Sequence, residues 1–289
     1  MFIACNSQSE KGTSSTVDTS NNIQTTIHSP EAQELRIQSF WDKFDFEDKG
    51  RATSADYGEQ HFVDFINLFA HVPKEKQNLV IKDFLAKVSF DNEIQSYFEE
   101  LSKKYLYDIN SPFYNEEFYI LFLENYIQSN SISSTYKERY KILLRLAKKN
   151  RVGDLATDFK YYADGKVNNL YDLKSKFIIL FFYEPGCPYC ESAMAILKKD
   201  EDFSKLLNIN VVLLAIYPDG ERKIWEQYAE NIPNNWINGI DLEKTILKRS
   251  LYDLKASPTI YLLDQNKKIL LKDTDLPKLL TYLRTLDTK

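Results

Sequence analysis

The sequence contains few of the residues that bind metals or build disulfide frameworks. Its 289 residues include three cysteines and three histidines. Three cysteines are too few for a framework of structural disulfides. The histidines, His28, His61 and His71, have no ligand-like spacing, so zinc is a weaker alternative for the pair Cys187 and Cys190. A purely structural disulfide is the other alternative, and it would restrain only a short stretch of chain.

Long apolar runs and excess positive charge are also missing. No apolar run exceeds the length of residues 177–183, whereas a membrane-spanning helix needs about 20 residues. The chain carries 37 Lys and Arg against 42 Asp and Glu, a net charge of -5. Phosphate contacts need a basic face, so nucleic acid is excluded as an expected partner. The length allows two ordinary domains.

The most informative stretch combines a buried strand, a break and a pair of cysteines. Residues 177–183 are rich in β-branched and aromatic types, which is typical of a strand buried on both faces. The Glu-Pro-Gly of residues 184–186 ends that strand, and residues 191–199 favour a helix. Cys187 and Cys190 therefore lie where a strand turns into a helix, a pattern that indicates thiol–disulfide exchange.

The two cysteines are expected to have different tasks. An attacking sulfur must be a thiolate, and a helix N-terminus favours that form of a cysteine. Cys187 lies where the helix begins and is the predicted nucleophile. Cys190 lies one turn inside and is predicted to attack the mixed disulfide on Cys187. Pro188 suits the first helical turn. We expect no metal and no cofactor other than a Cys187–Cys190 disulfide.

The first residues point to a lipid anchor. The apolar residues and the small Ala4 before Cys5 resemble the end of a bacterial lipoprotein signal, in which the cysteine is lipidated. Residues 6–29 are rich in Ser, Thr and Asn and are predicted to form a flexible tether. A chance cysteine near a terminus is the alternative for Cys5. Residues 1–29 are therefore predicted to form a signal remnant and a tether.

Residues 30–150 are predicted to form an all-α domain of five or six helices. Apolar residues recur at positions i, i+3, i+4 and i+7 through most of this region. We find no metal-ligand spacing, Gly-rich phosphate loop or nucleophile–base set there. Packing on the second domain, dimerisation and binding of a partner are all open as its task.

Residues 151–289 alternate between strand and helix patterns and are predicted to form an α/β domain. The predicted elements, in chain order, are a hairpin at Asp164-Gly165, the strand 177–183, the cysteine helix, a strand at 211–217, a helix at 222–230, an irregular loop at 232–240, a hairpin over 259–271 and a helix at 276–286.

Three motifs of this second half carry a family resemblance: Gly153-Asp154-x-Ala156-x-Asp158-Phe159, Cys187-Pro188-Tyr189-Cys190 and Ala256-Ser257-Pro258-Thr259. With them the second half resembles the thiol–disulfide oxidoreductases of the TlpA/ResA kind, within the thioredoxin superfamily. The resemblance implies a central mixed sheet flanked by helices.

The helical half has its own recognisable stretches, which are Phe40-Trp41-Asp42-Lys43-Phe44, Lys104-Tyr105-Leu106-Tyr107-Asp108, Ser111-Pro112 and Asn150-Arg151-Val152-Gly153-Asp154. In these it resembles a domain of unknown function that precedes such domains in Gram-negative lipoproteins.

The resemblance also implies a substrate surface. A proline at the position of Pro258 is cis in such folds and lies against the dithiol, which leaves a backbone edge free to pair with a substrate chain. Ser257, Tyr189 and Pro188 are then expected to contact the substrate together with Pro258.

Three positions depart from the family pattern. The usual Trp before the first cysteine is replaced by Gly186, and the buried acid of thioredoxin by Phe181. The Glu that follows the second cysteine in the ResA-like proteins is Ala193 here. Glu184 is therefore the candidate for proton transfer, on proximity alone.

Together these features predict a lipid-anchored oxidoreductase of the Gram-negative cell envelope that faces the periplasm or the cell surface. Its expected partners are cysteine-containing envelope proteins, whose disulfides it reduces, and an unidentified redox donor. One alternative is a surface interaction module with a redox-weak relic of the dithiol. A peroxidase is disfavoured, because Pro185 lies only two residues before Cys187 with no Thr between them.

Overall fold

The structure, a computed structural model, describes residues 36–207 and 209–286. The predicted tether and the predicted lipid-attachment residue Cys5 lie outside the described residues. The chain divides into two compact units, one ending at Gln95 and one beginning at Ser96.

The first unit is helical and has an aromatic core. The Trp41 and Phe84 rings lie 4.8 Å apart between centroids, and Phe65 lies 5.2 Å from Phe84. Phe65 and Phe84 lie on the apolar faces of two helices, Trp41 lies in a turn and not in the helix that its spacing predicts, and all three residues are buried. The helices here are α1 (Lys49–Ala52), α2 (Gln60–Phe69) and α3 (Lys74–Val88), with a π-helical turn at Ala55–Glu59 before α2.

Three further helices complete the helical half. They are α4 (Asn92–Leu106), α5 (Glu116–Gln128) and α6 (Ser134–Ala147). Asn115 caps α5, because its side chain accepts a hydrogen bond of 3.1 Å from the backbone N–H of Phe118. Helices α5 and α6 belong to the second unit together with the sheet. This spatial division differs from the predicted domain boundary at residue 150, which stays a prediction.

The second half is built on a mixed sheet, as the resemblance implies. Strands β3 and β4 and strands β4 and β5 are parallel, and the other neighbours are antiparallel. The order across the sheet is β2-β1-β5-β4-β3-β6-β7. The strands are β1 (Lys160–Ala163), β2 (Lys166–Asn169), β3 (Phe177–Phe182), β4 (Val211–Tyr217), β5 (Ile237–Ile240), β6 (Thr259–Asp264) and β7 (Ile269–Leu271).

Helices flank this sheet, and β3 has a hydrophobic core on each of its faces. Ile179 and Phe181 enter one core, while Ile178, Leu180 and Phe182 enter the other. Strand β3 is therefore buried on both faces, as its apolar run predicts. The helices are α7 (Pro188–Lys199), α8 (Glu201–Leu206), α9 (Arg222–Tyr228), α10 (Thr245–Lys248) and α11 (Leu276–Leu286).

The sequence predicts an irregular loop over residues 232–240, and this prediction is wrong for the last part. Ile237–Ile240 form β5, which joins the β1–β2 hairpin to β4. Asn and Gly have low strand propensity, so the sequence pattern of these residues does not predict a strand. A Cβ on Gly239 would lie 2.7 Å from Ile216 Cδ1 and 2.8 Å from Tyr161 Cδ2, so the tight packing there requires glycine.

Both predicted hairpins are confirmed. Strands β1 and β2 are joined at Asp164 and Gly165, which have φ values of 52° and 77°. Two successive positive φ angles are typical of the turn that Asp-Gly favours. Strands β6 and β7 form the second hairpin. In the described part of the chain, no helix is both long and apolar enough to cross a membrane.

Candidate active site at the Cys187–Cys190 pair

The break after β3 places both cysteines at the start of α7. Gly186 has a φ of 78°, a backbone conformation that favours glycine and turns the chain out of the strand. Cys187 is the N-cap residue of α7, and Pro188 occupies the first turn, where its missing N–H leaves no helical bond unmade. The predicted strand–turn–helix setting of the pair is confirmed.

The two thiols differ in exposure. Cys187 is partly exposed, whereas Cys190 is fully buried in the core between the sheet and α7. Both are free cysteines. The Cys187 thiol donates a hydrogen bond of 3.5 Å to the carbonyl oxygen of Ser257. The Cys187 thiol is thus the more accessible of the two, and the buried Cys190 thiol lies one helical turn further along α7.

Burial determines the state of the Cys190 thiol. Loss of solvation, the largest cause, acts together with the neighbouring Cys187 and the Glu184 charge to raise the pKa of Cys190 to about 12. A backbone hydrogen bond from Glu184 acts in the opposite direction. Cys190 is therefore protonated at neutral pH and must lose its proton before it attacks a disulfide.

Strand pairing brings Ser257 and Pro258 to the dithiol. Phe182, the last residue of β3, pairs with Thr259, the first residue of β6. The residues just before β6 therefore face the turn just after β3, which holds Cys187. The Ser257–Pro258 peptide bond is cis, as the resemblance implies.

The remaining predicted site residues lie around this turn. Pro188, Tyr189 and Glu184 are all exposed, with Tyr189 at 77 % exposure. Phe181 is completely buried, and its ring lies 5.8 Å from that of Trp236. The position of the usual buried acid is therefore occupied by an aromatic pair in the core.

Two tyrosines lie beside Cys190 that the sequence interpretation misses. Burial raises the pKa of Tyr183 and of Tyr228, and the Cys190 thiol contributes to both shifts. The Tyr228 hydroxyl donates a hydrogen bond of 3.2 Å to Glu191 Oε1. Tyr183 directly follows β3, a position that could have marked it, whereas nothing in the sequence near Tyr228 points to the dithiol.

Within residues 36–207 and 209–286, the structure contains no cluster of side chains that could bind a metal ion. No group of three or more His, Cys, Asp or Glu side chains there lies close enough together to hold an ion.

Family models match both halves of the chain. A domain of unknown function, DUF5106, matches residues 6–150. A thioredoxin-like domain matches residues 168–273 and so includes both cysteines and Pro258. A comparison with curated proteins found no match.

Solved structures resemble the chain over different lengths. A thioredoxin-like protein from Bacteroides caccae is 36% identical, with a TM-score of 0.82, over 91% of this chain and 95% of its own. The C-terminal domain of an uncharacterized protein from Bacteroides fragilis is 38% identical, with a TM-score of 0.46, over 47% of this chain and 98% of its own. A putative thiol:disulfide interchange protein from Chlorobium tepidum is 21% identical, with a TM-score of 0.41, over 47% of this chain and 96% of its own.

The B. caccae protein covers nearly the whole chain, with the helical half and the sheet half together. The family models assign the same two halves independently. The chain therefore belongs to the thioredoxin-like family and carries a DUF5106 domain ahead of its thioredoxin-like domain.

Proposed function

We propose that this protein is a cell-envelope thiol–disulfide oxidoreductase that reduces the disulfides of exported proteins through Cys187 and Cys190. One observation carries the proposal: the partly exposed Cys187 thiol faces the Ser257 carbonyl, and the buried Cys190 lies directly behind it. This arrangement gives the attacking and the resolving sulfur different access to a substrate.

In the first step, the Cys187 thiolate attacks one sulfur of the substrate disulfide. A mixed disulfide forms between Cys187 and the substrate, and the second substrate sulfur leaves as a thiolate that takes up a proton. Cys187 is the group that attacks because it caps α7 and is accessible, whereas Cys190 is buried and protonated.

In the second step, Cys190 loses its proton and attacks the Sγ atom of Cys187. The Cys187–Cys190 disulfide forms, the substrate sulfur that was bonded to Cys187 leaves as a thiolate that takes up a proton, and two electrons have passed to the substrate. The raised pKa of Cys190 makes its deprotonation the demanding part of this step. Glu184, next to the turn, is the residue that we propose receives the proton.

The substrate contacts are proposed from the same geometry. The Ser257 carbonyl oxygen accepts the hydrogen bond of Cys187, and Ser257 and Pro258 directly precede β6. These two observations support our proposal that the backbone of Ser257 and Pro258 pairs with an extended substrate segment. Tyr189 and Pro188 are exposed next to Cys187 and supply apolar contact area.

The envelope location is proposed from the start of the sequence. Lipidation of Cys5 would tether the protein to a membrane, where it would meet cysteine-containing envelope proteins and its redox donor. Incorporation of an alkyne-labelled fatty acid by the wild-type protein, and its loss in Cys5→Ala, would support this anchor. Equal labelling of the two proteins would exclude it.

Insulin reduction in the presence of dithiothreitol tests the activity. We expect Cys187→Ala to abolish the activity and Cys190→Ala to accumulate mixed disulfides that are visible without reductant. Ser192→Ala, an exposed change on the same helix, is the control and should match the wild type. Equal insulin reduction by the wild type and Cys187→Ala would exclude the proposed function.

The alternative is an interaction module whose dithiol is a redox-weak relic. Phe181 and Ala193, which replace the two acids of the family pattern, favour it. A wild-type protein that reduces neither insulin nor a small disulfide would support this alternative.

A further inference from the structure

Ser257 and Pro258, the proposed substrate contacts, are here called the substrate loop. The segment that leads to this loop has no regular secondary structure. Residues 249–258, here called the pre-proline segment, contain neither helix nor strand, and they end at Ser257 and Pro258. Tyr252 ties the segment to the sheet side, because its hydroxyl donates a hydrogen bond of 2.6 Å to the Thr157 carbonyl oxygen. Leu251 and Leu254 pack against the core on the same side. Polar contacts hold the segment from the other side.

Residues of the helical half supply those contacts at nearly every second position. Each contact joins a polar side chain of the helical half to a backbone carbonyl, a carboxylate or an ammonium group of the segment. In chain order along the pre-proline segment, they join Lys149 to Ser250, Asn150 to Leu251, Tyr107 to Asp253 and Glu116 to Lys255.

Lys255 is the centre of a buried charge cluster. Its Nζ atom lies 2.6 Å from Glu116 Oε1 and 2.6 Å from Asp273 Oδ2, and it donates a hydrogen bond of 3.2 Å to the Tyr114 hydroxyl. Lys272 contacts the other oxygen of Glu116 at 2.6 Å. The Lys255, Glu116 and Asp273 side chains are each less than one-tenth exposed.

Lys255 is surrounded by acidic side chains in this cluster. Three carboxylates, on Glu116, Asp253 and Asp273, surround the Lys255 ammonium. Burial alone would lower the pKa of Lys255, but the attraction of these carboxylates raises it above its ordinary value. Lys255 is therefore charged and held from several sides.

Such a cluster contributes geometry more than stability. The cost of removing charges from water offsets much of the attraction between buried partners, so apolar residues would stabilise this contact equally well. Charged hydrogen bonds are directional, however, and they hold the backbone of Lys255 at one place. Lys255 lies two residues before Ser257, whose carbonyl oxygen faces the Cys187 thiol.

We propose that Glu116, Tyr107 and Lys255 are positioning residues of the redox site, through which the DUF5106 region holds the substrate loop at Cys187. This inference rests on the proposed function and gives part of that domain a role. The contacts come from residues 107–150, all within the part of the chain that matches DUF5106.

The test compares a protein substrate with a small one. Pre-reduced protein is oxidised either by insulin or by bis(2-hydroxyethyl) disulfide, and the loss of free thiols gives two rate constants. Only insulin can pair with the backbone at Ser257. We expect Glu116→Gln to lower the rate constant with insulin by roughly tenfold, and that with the small disulfide by less than about twofold, because misplacement of the loop weakens substrate orientation.

A matched control and a milder variant complete the experiment. Glu124→Gln makes the same change on the same helix, at a more exposed ion pair with Lys148 (2.5 Å). It should leave both rate constants unchanged. Tyr107→Phe removes only the hydroxyl that donates a hydrogen bond of 2.6 Å to Asp253, and it serves if Glu116→Gln does not fold. We expect Tyr107→Phe, like Glu116→Gln, to lower the ratio of the insulin rate constant to the small-disulfide rate constant.

Hydrogen–deuterium exchange separates this inference from the proposed function. Exchange in residues 249–258 should rise in Glu116→Gln, while exchange in α7 stays at the wild-type level. A folded variant with unchanged exchange and an unchanged ratio of rate constants would overturn the positioning role. A wild-type protein that reacts with neither disulfide would overturn the proposed function, and the exchange result would still decide on the positioning role.

Discussion

The Cys187 thiol donates its hydrogen bond of 3.5 Å to the carbonyl oxygen of Ser257, a residue 70 positions further along the chain. The pairing of β3 with β6 makes this contact, because the motif follows the end of one strand and Ser257 precedes the start of the other. Cys187, the proposed nucleophile, and Ser257, a proposed substrate contact, therefore lie in one place although they are distant in sequence.

The first prediction concerns the reactivity of Cys190. Burial raises its pKa to about 12, so at about pH 8 it should be nearly inert to iodoacetamide. In Cys187→Ser, alkylation of Cys190 should rise only at a pH well above that of an ordinary cysteine. Mass spectrometry after short exposures at increasing pH measures this. The remaining thiol of Cys190→Ser is the comparison, and equal profiles for the two variants would contradict the prediction.

The second prediction separates two effects of Glu184. Its negative charge helps to raise the pKa of Cys190, so Glu184→Gln should move the alkylation profile of Cys190 to lower pH. If Glu184 receives the proton, the same variant should resolve the mixed disulfide roughly tenfold more slowly or worse. Rapid-quench analysis of the mixed disulfide measures the second effect, with the exposed change Glu201→Gln as control. Unchanged resolution would exclude Glu184 as the acceptor.

The third prediction concerns Tyr189. Its side chain is 77 % exposed, so Tyr189→Ala should change the free energy of unfolding by less than about 0.5 kcal/mol. We expect KM for insulin to rise several-fold while kcat stays close to the wild-type value, because the ring supplies binding area. Ile196→Ala, also exposed on α7, should change neither quantity. A KM equal to that of the wild type would show that Tyr189 does not contact the substrate.

The fourth prediction concerns the strand that pattern analysis misses. In Gly239→Ala the new Cβ would lie 2.7 Å from Ile216 Cδ1, inside van der Waals contact. The variant should lose about 1–3 kcal/mol of unfolding free energy, measured by urea denaturation. Gly50→Ala, in helix α1, has only an atom at 3.7 Å nearby and should be neutral or stabilising. If Gly239→Ala is as stable as the wild type, then β5 or its neighbours shift to accommodate the added methyl group without cost, which would contradict the prediction.

The sequence by itself predicts most of the secondary structure and the local setting of the two cysteines. The apolar run of β3 predicts a strand buried on both faces, and the structure places its residues in two cores. The spacing of Cys187 and Cys190 predicts a reactive thiol at a helix start with a second thiol behind it. These features are local, because propensity and spacing act over a few residues.

Only the tertiary structure decides which distant groups surround the dithiol. Glu116 and Lys255 are 139 positions apart and are ordinary charged residues in the sequence, yet they meet in a buried cluster beside the substrate loop. Tyr228 likewise reaches the surroundings of Cys190 from α9. Burial raises the pKa of Cys190 in the same way, through solvent excluded by residues from several elements. Local sequence patterns do not predict such contacts, because desolvation and charge pairing depend on distances between residues that only the folded chain brings together.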